Sequence, residues 1–159
     1  MTTIEIEIAV MEHFGIRQNL IVPNISWGIA GLHECDILSL NRTGYATEVE
    51  IKTSKADLLQ DKKKKHNHRH NHIADLYFAV PENLRKIALE VIPERAGLFI
   101  IKKYEDNDDY FKVSELTAGA YEVKPSTRNK DAVKWTEKER YQLARLGTMR
   151  ILALKKKLK

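Results

Sequence analysis

With a single cysteine, Cys35, the chain cannot build an internal disulfide framework, and this usage fits a reducing compartment. No apolar stretch approaches the roughly 18 residues of a membrane span. The opening residues, MTTIEIEIAV, lack a basic segment leading into an apolar core, so no signal peptide is expected. Internal repeats and long linkers are missing too. What remains is a chain of 159 residues, 43% hydrophobic and 31% charged, the composition of a soluble globular domain large enough to bury a core. The expectation is one domain over residues 1–159, located in the cytoplasm, with no membrane partner.

Charge is present in both signs but unevenly spread. The formal net charge is +5. Residues 52–72 carry seven Lys/Arg against two Asp, and residues 124–159 carry twelve against three acids, so the rest of the chain is strongly acidic. Basic segments set apart in this way suit a polyanion, because lysines and arginines that neutralise phosphates release counterions. The competing reading is a solubilising surface.

Periodicity sets out the elements. Residues 3–14 place Ile4, Ile8 and Met11 near helical spacing, with Gly15 as a stop signal, although the Ile-Glu alternation also permits a strand. ECDILSL and YATEVEIK read as two strands joined by NRTG, a hairpin turn. Thr53 or Ser54 can cap the helix that follows. ADLYFAVP and AGLFIIKKY are continuous apolar runs, as expected of strands buried on both faces, and ENLRKIALEVI between them reads as a helix. Residues 105–130 give no clear element, with EDNDD read as a loop. Thr136 and Glu139 form a capping box that opens a basic helix over about 136–158. The order implies an α/β fold, a mixed sheet flanked by helices.

The chemistry concentrates at one end of the hairpin. Glu48, Glu50 and Lys52 stand at alternate positions of a strand and share a face. Asp36 lies early in the preceding strand, and the thirteen residues between it and Glu50 suffice to finish a strand, turn and return. Two carboxylates brought together repel unless a cation sits between them. Oxygen ligands of this kind suit Mg²⁺, which keeps waters and takes one or two carboxylates plus substrate phosphate. Lys52 can neutralise charge developing on a phosphorane or orient the attacking water.

Asp36…Glu50-x-Lys52, with a helical glutamate upstream and an αβ element after the lysine, resembles the PD-(D/E)xK nuclease superfamily. Its common core is an α-β-β-β-α-β unit, the restriction-endonuclease-like fold. CDIL…GYATEVEIKTSKADLLQDKKKKH, followed by ADLYFAVPENL and ERAGLFII, is similar to the MmcB-like DNA-repair proteins and related phage-type proteins, over about residues 34–101. The resemblance implies that Asp36 and Glu50 bind Mg²⁺ or Mn²⁺, that the carbonyl of Ile51 completes the shell, and that Lys52 is the catalytic lysine. It implies an upstream glutamate from the first helix, with Glu5 the first choice and Glu7 and Glu12 the alternatives. The helix after Lys52 flanks the site in that fold, so Lys55, Gln60, Lys62 and Lys65 are expected to line a DNA groove. His66 and Arg69 follow them in a basic arm. The implied activity is metal-dependent hydrolysis of phosphodiester bonds in DNA, branched and single-stranded forms included, in repair, recombination or phage DNA processing. Cys35 stands where the family name has a proline.

Each element of this reading has a plainer rival. Three charges on one strand face also describe an ordinary cross-strand ion-pair surface. KKKKHNHRHNH offers His66/His70 and His68/His72 at i,i+4 spacing, which can hold zinc on a helix, but no nearby cysteine or HExxH pattern completes such a site. Trp27 can stack on a base or pack, and packing is the commoner use. At the level of function the rival is a non-catalytic nucleic-acid-binding or repair-accessory protein that keeps the nuclease fold. A dimer stands beside a monomer as an open alternative.

Overall fold

The computed structural model describes residues 1–26, 28–61, 70–104 and 118–158. Trp27, Lys62, Lys65, His66, His68, Arg69 and the EDNDD segment lie outside the described residues.

Helix α1 (Thr3–Phe14) starts where Thr2 accepts from Glu5 N–H and Glu5 returns to Thr2 N–H, and it stops at Gly15, whose φ is 74°. The helical reading of this segment holds because Ile6, Ala9 and Val10 form one buried face. Strands β1 (Leu20–Ile25), β2 (Cys35–Leu40) and β3 (Ala46–Ile51) follow. The β2–β3 turn is closed by Gly44 N–H to Asn41 C=O, and Gly44, at φ 93°, supplies the conformation that residues with a Cβ resist. Helix α2 (Lys55–Asp61) is capped by Ser54, which accepts from Asp57 N–H. After it come β4 (Ile73–Pro81), a short 3₁₀ turn (Glu82–Leu84), α3 (Arg85–Val91), β5 (Gly97–Lys103), β6 (Ala118–Lys124) and α4 (Glu137–Lys157). The expected capping box of Thr136 and Glu139 opens α4.

The six strands form one mixed sheet in the order β1-β2-β3-β4-β5-β6. The β1–β2, β2–β3 and β5–β6 pairs are antiparallel, and β3–β4 and β4–β5 are parallel. The first six main elements therefore run α-β-β-β-α-β, as the resemblance implies. Two strands were not expected from their residues. β1 contains Pro23 and Asn24 at φ 54°, which weaken a strand signal but are tolerated on an edge strand. β6, AGAYEVK, opens on the small residues Ala118, Gly119 and Ala120, which give a weak strand signal, and is held by pairing with β5.

Both faces of the sheet are covered. On one side α1 packs against Ile37, Val49, Ile51, Ala79, Phe99 and Ile101. On the other, α2 and α3 cover Leu76, Phe78, Val80, Leu98 and Ile100, while Trp135 and Leu143 of the α4 region cover Leu38, Leu40, Ala46 and Ile73. Double coverage explains why β4 and β5 read as unbroken apolar runs. Burial of Leu143 anchors α4, the only buried residue of a helix whose last two turns are exposed.

Candidate active site

β3 alternates Ala46, Glu48 and Glu50 with Thr47, Val49 and Ile51. The odd-numbered Val49 and Ile51 point to α1, so the two glutamates take the opposite face. The β2–β3 ladder pairs Ile37 with Val49 and goes no further toward Ile51. One step on, Asp36 comes level with Glu50. There the Asp36 side chain takes the place of a ladder bond, its Oδ2 accepting from Ile51 N–H at 2.7 Å. Lys52 N–H bonds to Ala79 C=O of β4, so the backbone groups of Ile51 face the β2 side. The strands part at this point, and the gap is an open cleft of about 770 Å³ beside the C-terminal end of β3. Crevices at the carboxyl ends of parallel strands are common ligand sites.

Asp36, Glu50 and Lys52 all line that cleft, as the sequence led one to expect. Lys52 Nζ lies 2.7 Å from Glu50 Oε2 and 3.0 Å from Asp61 Oδ1 of α2. Glu50, Lys52 and Asp61 are all buried. Burial alone would lower the Lys52 pKa, but Glu50 and then Asp61 override it and hold the ammonium well above its ordinary value. Lys52 therefore keeps its proton at neutral pH. Asp61 was not singled out from sequence. The available signal was its position three residues after Leu58, on the helix face that α2 buries.

Among the upstream glutamates, the choice moves from Glu5 to Glu7. Glu5 is spent on the α1 capping box and lies 3.4 Å from Lys103 Nζ, with its pKa lowered first by the Thr2 N–H. Glu7 is half-buried; burial raises its pKa, and the charge of Asp36 raises it further. Of the groove residues that the structure describes, Gln60 lines the cleft, while Lys55 is exposed outside its lining.

Toward the N-terminal end of β3, Glu48 is completely buried and its Oε1 lies 2.9 Å from Nε2 of buried His33. His70 is nearby, and burial, then His72 and His33, lower its pKa against the opposing pull of Glu48. His72 in turn meets Glu139 of α4 at 3.0 Å. From its spacing to Lys52, Glu48 reads as either a neighbour behind the site or a surface charge; its complete burial against His33 rules out the surface charge.

Among the described residues, no three His, Cys, Asp or Glu side chains form a ready-made metal cage. Charge balance still fits a divalent cation in the cleft. Among the described residues, its lining holds Glu34, Asp36, Glu50, Asp57 and Asp61 against Lys52 and Arg150. A phosphodiester entering this excess of negative charge is repelled unless a cation enters with it. Mg²⁺ needs only one or two carboxylates, its waters and substrate phosphate, which matches a paired Asp36 and Glu50.

A family model described as DNA repair protein MmcB-like matches residues 2–150, and the chain belongs to that family. The chain is also similar to the solved SPO1766 protein of unknown function from Silicibacter pomeroyi. That likeness covers 96% of this chain and 88% of the other, at 18% identity and a TM-score of 0.61, and speaks for the fold alone. No curated protein matches the chain. No helix among the described residues is long and apolar enough to cross a membrane.

Proposed function

Taking membership of a DNA-repair family as the premise, we propose that the chain is a divalent-metal-dependent endonuclease of the PD-(D/E)xK type acting on DNA. The observation that carries the reading is the convergence of Asp36, Glu50 and Lys52 on one open cleft. Asp36, Glu50 and the Ile51 carbonyl would hold Mg²⁺ or Mn²⁺. The bound ion would supply Lewis-acid polarisation of the phosphate and a water of lowered pKa.

The chain's own groups carry the remaining tasks. The Ile51 N–H fixes the Asp36 carboxylate and spares it a search over rotamers. Lys52 Nζ contacts Glu50 and holds that carboxylate in place. Its role is a fixed positive charge beside the oxygens that become more negative in the transition state. Asp61 positions Lys52 from the helix side.

The test is cleavage of linear, nicked, branched and single-stranded DNA in Mg²⁺ or Mn²⁺. Wild type is expected to cut at least one form, with cutting lost in EDTA and in Asp36→Asn, Glu50→Gln and Lys52→Met. Failure on every substrate sinks the enzymatic reading. One observation favours the accessory alternative: the Lys52 ammonium already lies between Glu50 and Asp61 as an internal cation. Salt-dependent DNA binding indifferent to EDTA, without cleavage, would establish that alternative.

A further inference from the structure

Among the described residues two cations line the cleft, and they are not equivalent. Lys52 is balanced by Glu50 and Asp61. Arg150, reaching in from α4, has no carboxylate partner among the described residues. Its guanidinium donates through Nη2 to the backbone carbonyl of Asn24 on β1. Asn24 sits at φ 54°, a conformation asparagine tolerates better than most residues. Arg150 Nε is buried without a hydrogen-bond acceptor among the described residues. The side chain as a whole is partly exposed on the cleft, so a ligand there can accept from the N–H groups that Asn24 leaves free. The planar fork of arginine matches the two oxygens of a phosphodiester.

We propose that Arg150 is the substrate-phosphate clamp of this cleft, gripping a phosphodiester of the DNA backbone through the guanidinium N–H groups that Asn24 leaves free. α4 is then more than a cover for the sheet. Leu143 seats the helix on the core, and Arg150, two turns further along the same side, reaches the cleft. This assignment rests on the nuclease reading for the identity of the ligand, but binding can be measured without turnover.

The experiment is fluorescence anisotropy with a labelled DNA duplex across a salt series, with Ca²⁺ replacing Mg²⁺ to block hydrolysis. Arg150→Gln should weaken binding roughly tenfold, as expected for one charge-assisted contact. It should also flatten the plot of log K against log salt by about 0.9, the value for one lost phosphate contact. Arg150→Lys should keep the slope and lose part of the affinity, because the charge remains and the fork does not. Should Arg150→Gln fail to fold, Arg150→Lys decides the matter, and wild-type affinity in it overturns the assignment. In Mg²⁺, Arg150→Gln should raise KM more than it lowers kcat. Unchanged affinity and slope in Arg150→Gln with cleavage intact overturns the clamp and leaves the nuclease reading standing. Weakened binding by that variant, with a wild type that binds but never cuts, supports the clamp and removes the nuclease. A wild type that does not bind DNA overturns both.

Discussion

Glu48 and Glu50 lie two residues apart on one strand and one face, each buried and each within 3 Å of a basic side chain. In the local sequence only the Glu50-x-Lys52 spacing separates them. What differs is what the rest of the fold places beyond each carboxylate. Over Glu48 sit His33 from the segment before β2 and, close by, His70, with Leu32 and Trp135 in the neighbouring core. Beyond Glu50 the β2–β3 ladder ends and a cleft opens. A buried hydrogen-bonded pair within the core is a stability feature that is costly to break, whereas a pair at the edge of a cleft can exchange its partner for a ligand. Position relative to the end of the ladder, not the residue type, assigns the roles.

The comparison breaks most readily through turnover. Glu50→Gln should abolish cleavage, and Lys52→Met should cost about 10² to 10³ in kcat, the scale for one preorganised charge or donor at a transition state. Both should leave the fold in place, measured by thermal melting alongside a cleavage assay. Equal loss of cleavage in a folded Glu48→Gln variant would remove the distinction between the two carboxylates.

The reciprocal experiment attacks stability. Glu48→Ala leaves His33 buried without its hydrogen-bond partner and should cost about 1–3 kcal/mol. For a domain of this size that is a fall in Tm on the order of 5 °C. Replacing both partners, as in Glu48→Leu with His33→Leu, should recover much of the loss, since two apolar groups leave no unsatisfied polar group behind. A Glu48→Ala protein that melts like wild type would show that the sealed pair is not a pair in the energetic sense.

A smaller effect is expected at Asp61, the partner Lys52 keeps on α2. Asp61→Asn leaves Glu50 to hold the ammonium, so Lys52 stays charged but is less well aimed. The expected loss in kcat is about tenfold, equivalent to about 1.4 kcal/mol in the barrier. Loss as large as that of Lys52→Met would instead make Asp61 a member of the reacting set.

How far the sequence discloses this arrangement depends on the range of the contacts. The hairpin and the level of Asp36 with Glu50 were legible because a tight turn at Asn41–Gly44 sets the register of both strands. The Ser54 cap and the Thr136–Glu139 box are local in the same way. β1 was hidden by Pro23 and Asn24, and β6 by a composition that only its pairing with β5 makes into a strand. Burial of Glu48 was illegible because Trp135, which helps form the core at that end, arrives 87 residues later in the chain. Arg150 was read only as part of a basic helix, since its partner Asn24 lies 126 residues away. Preference for Glu7 over Glu5 needed the packing of α1, because both are glutamates on one amphipathic helix.

Glu7 gives the smallest and most discriminating prediction, because it weighs the cleft's negative charge without any chemistry. Its pKa is raised, first by burial and then by Asp36. A carboxyl whose folded pKa exceeds its unfolded value favours the protonated form on folding, so stability is lost as pH rises from below about 4.5 through the folded value. Glu7→Gln removes that penalty. The variant should be more stable than wild type at about pH 7.5 and no more stable at about pH 3.5. Glu7 is half exposed, so the gain should stay near about 0.5 kcal/mol or less after solvent screening. Added Mg²⁺ should narrow the gap at pH 7.5, because a cation held by Asp36 offsets the charge that raises Glu7. The sealed Glu48 pair should be indifferent to the same addition. A gap unchanged by pH would mean that Glu7 does not face Asp36 in solution, and a gap unchanged by Mg²⁺ would count against a cation at Asp36.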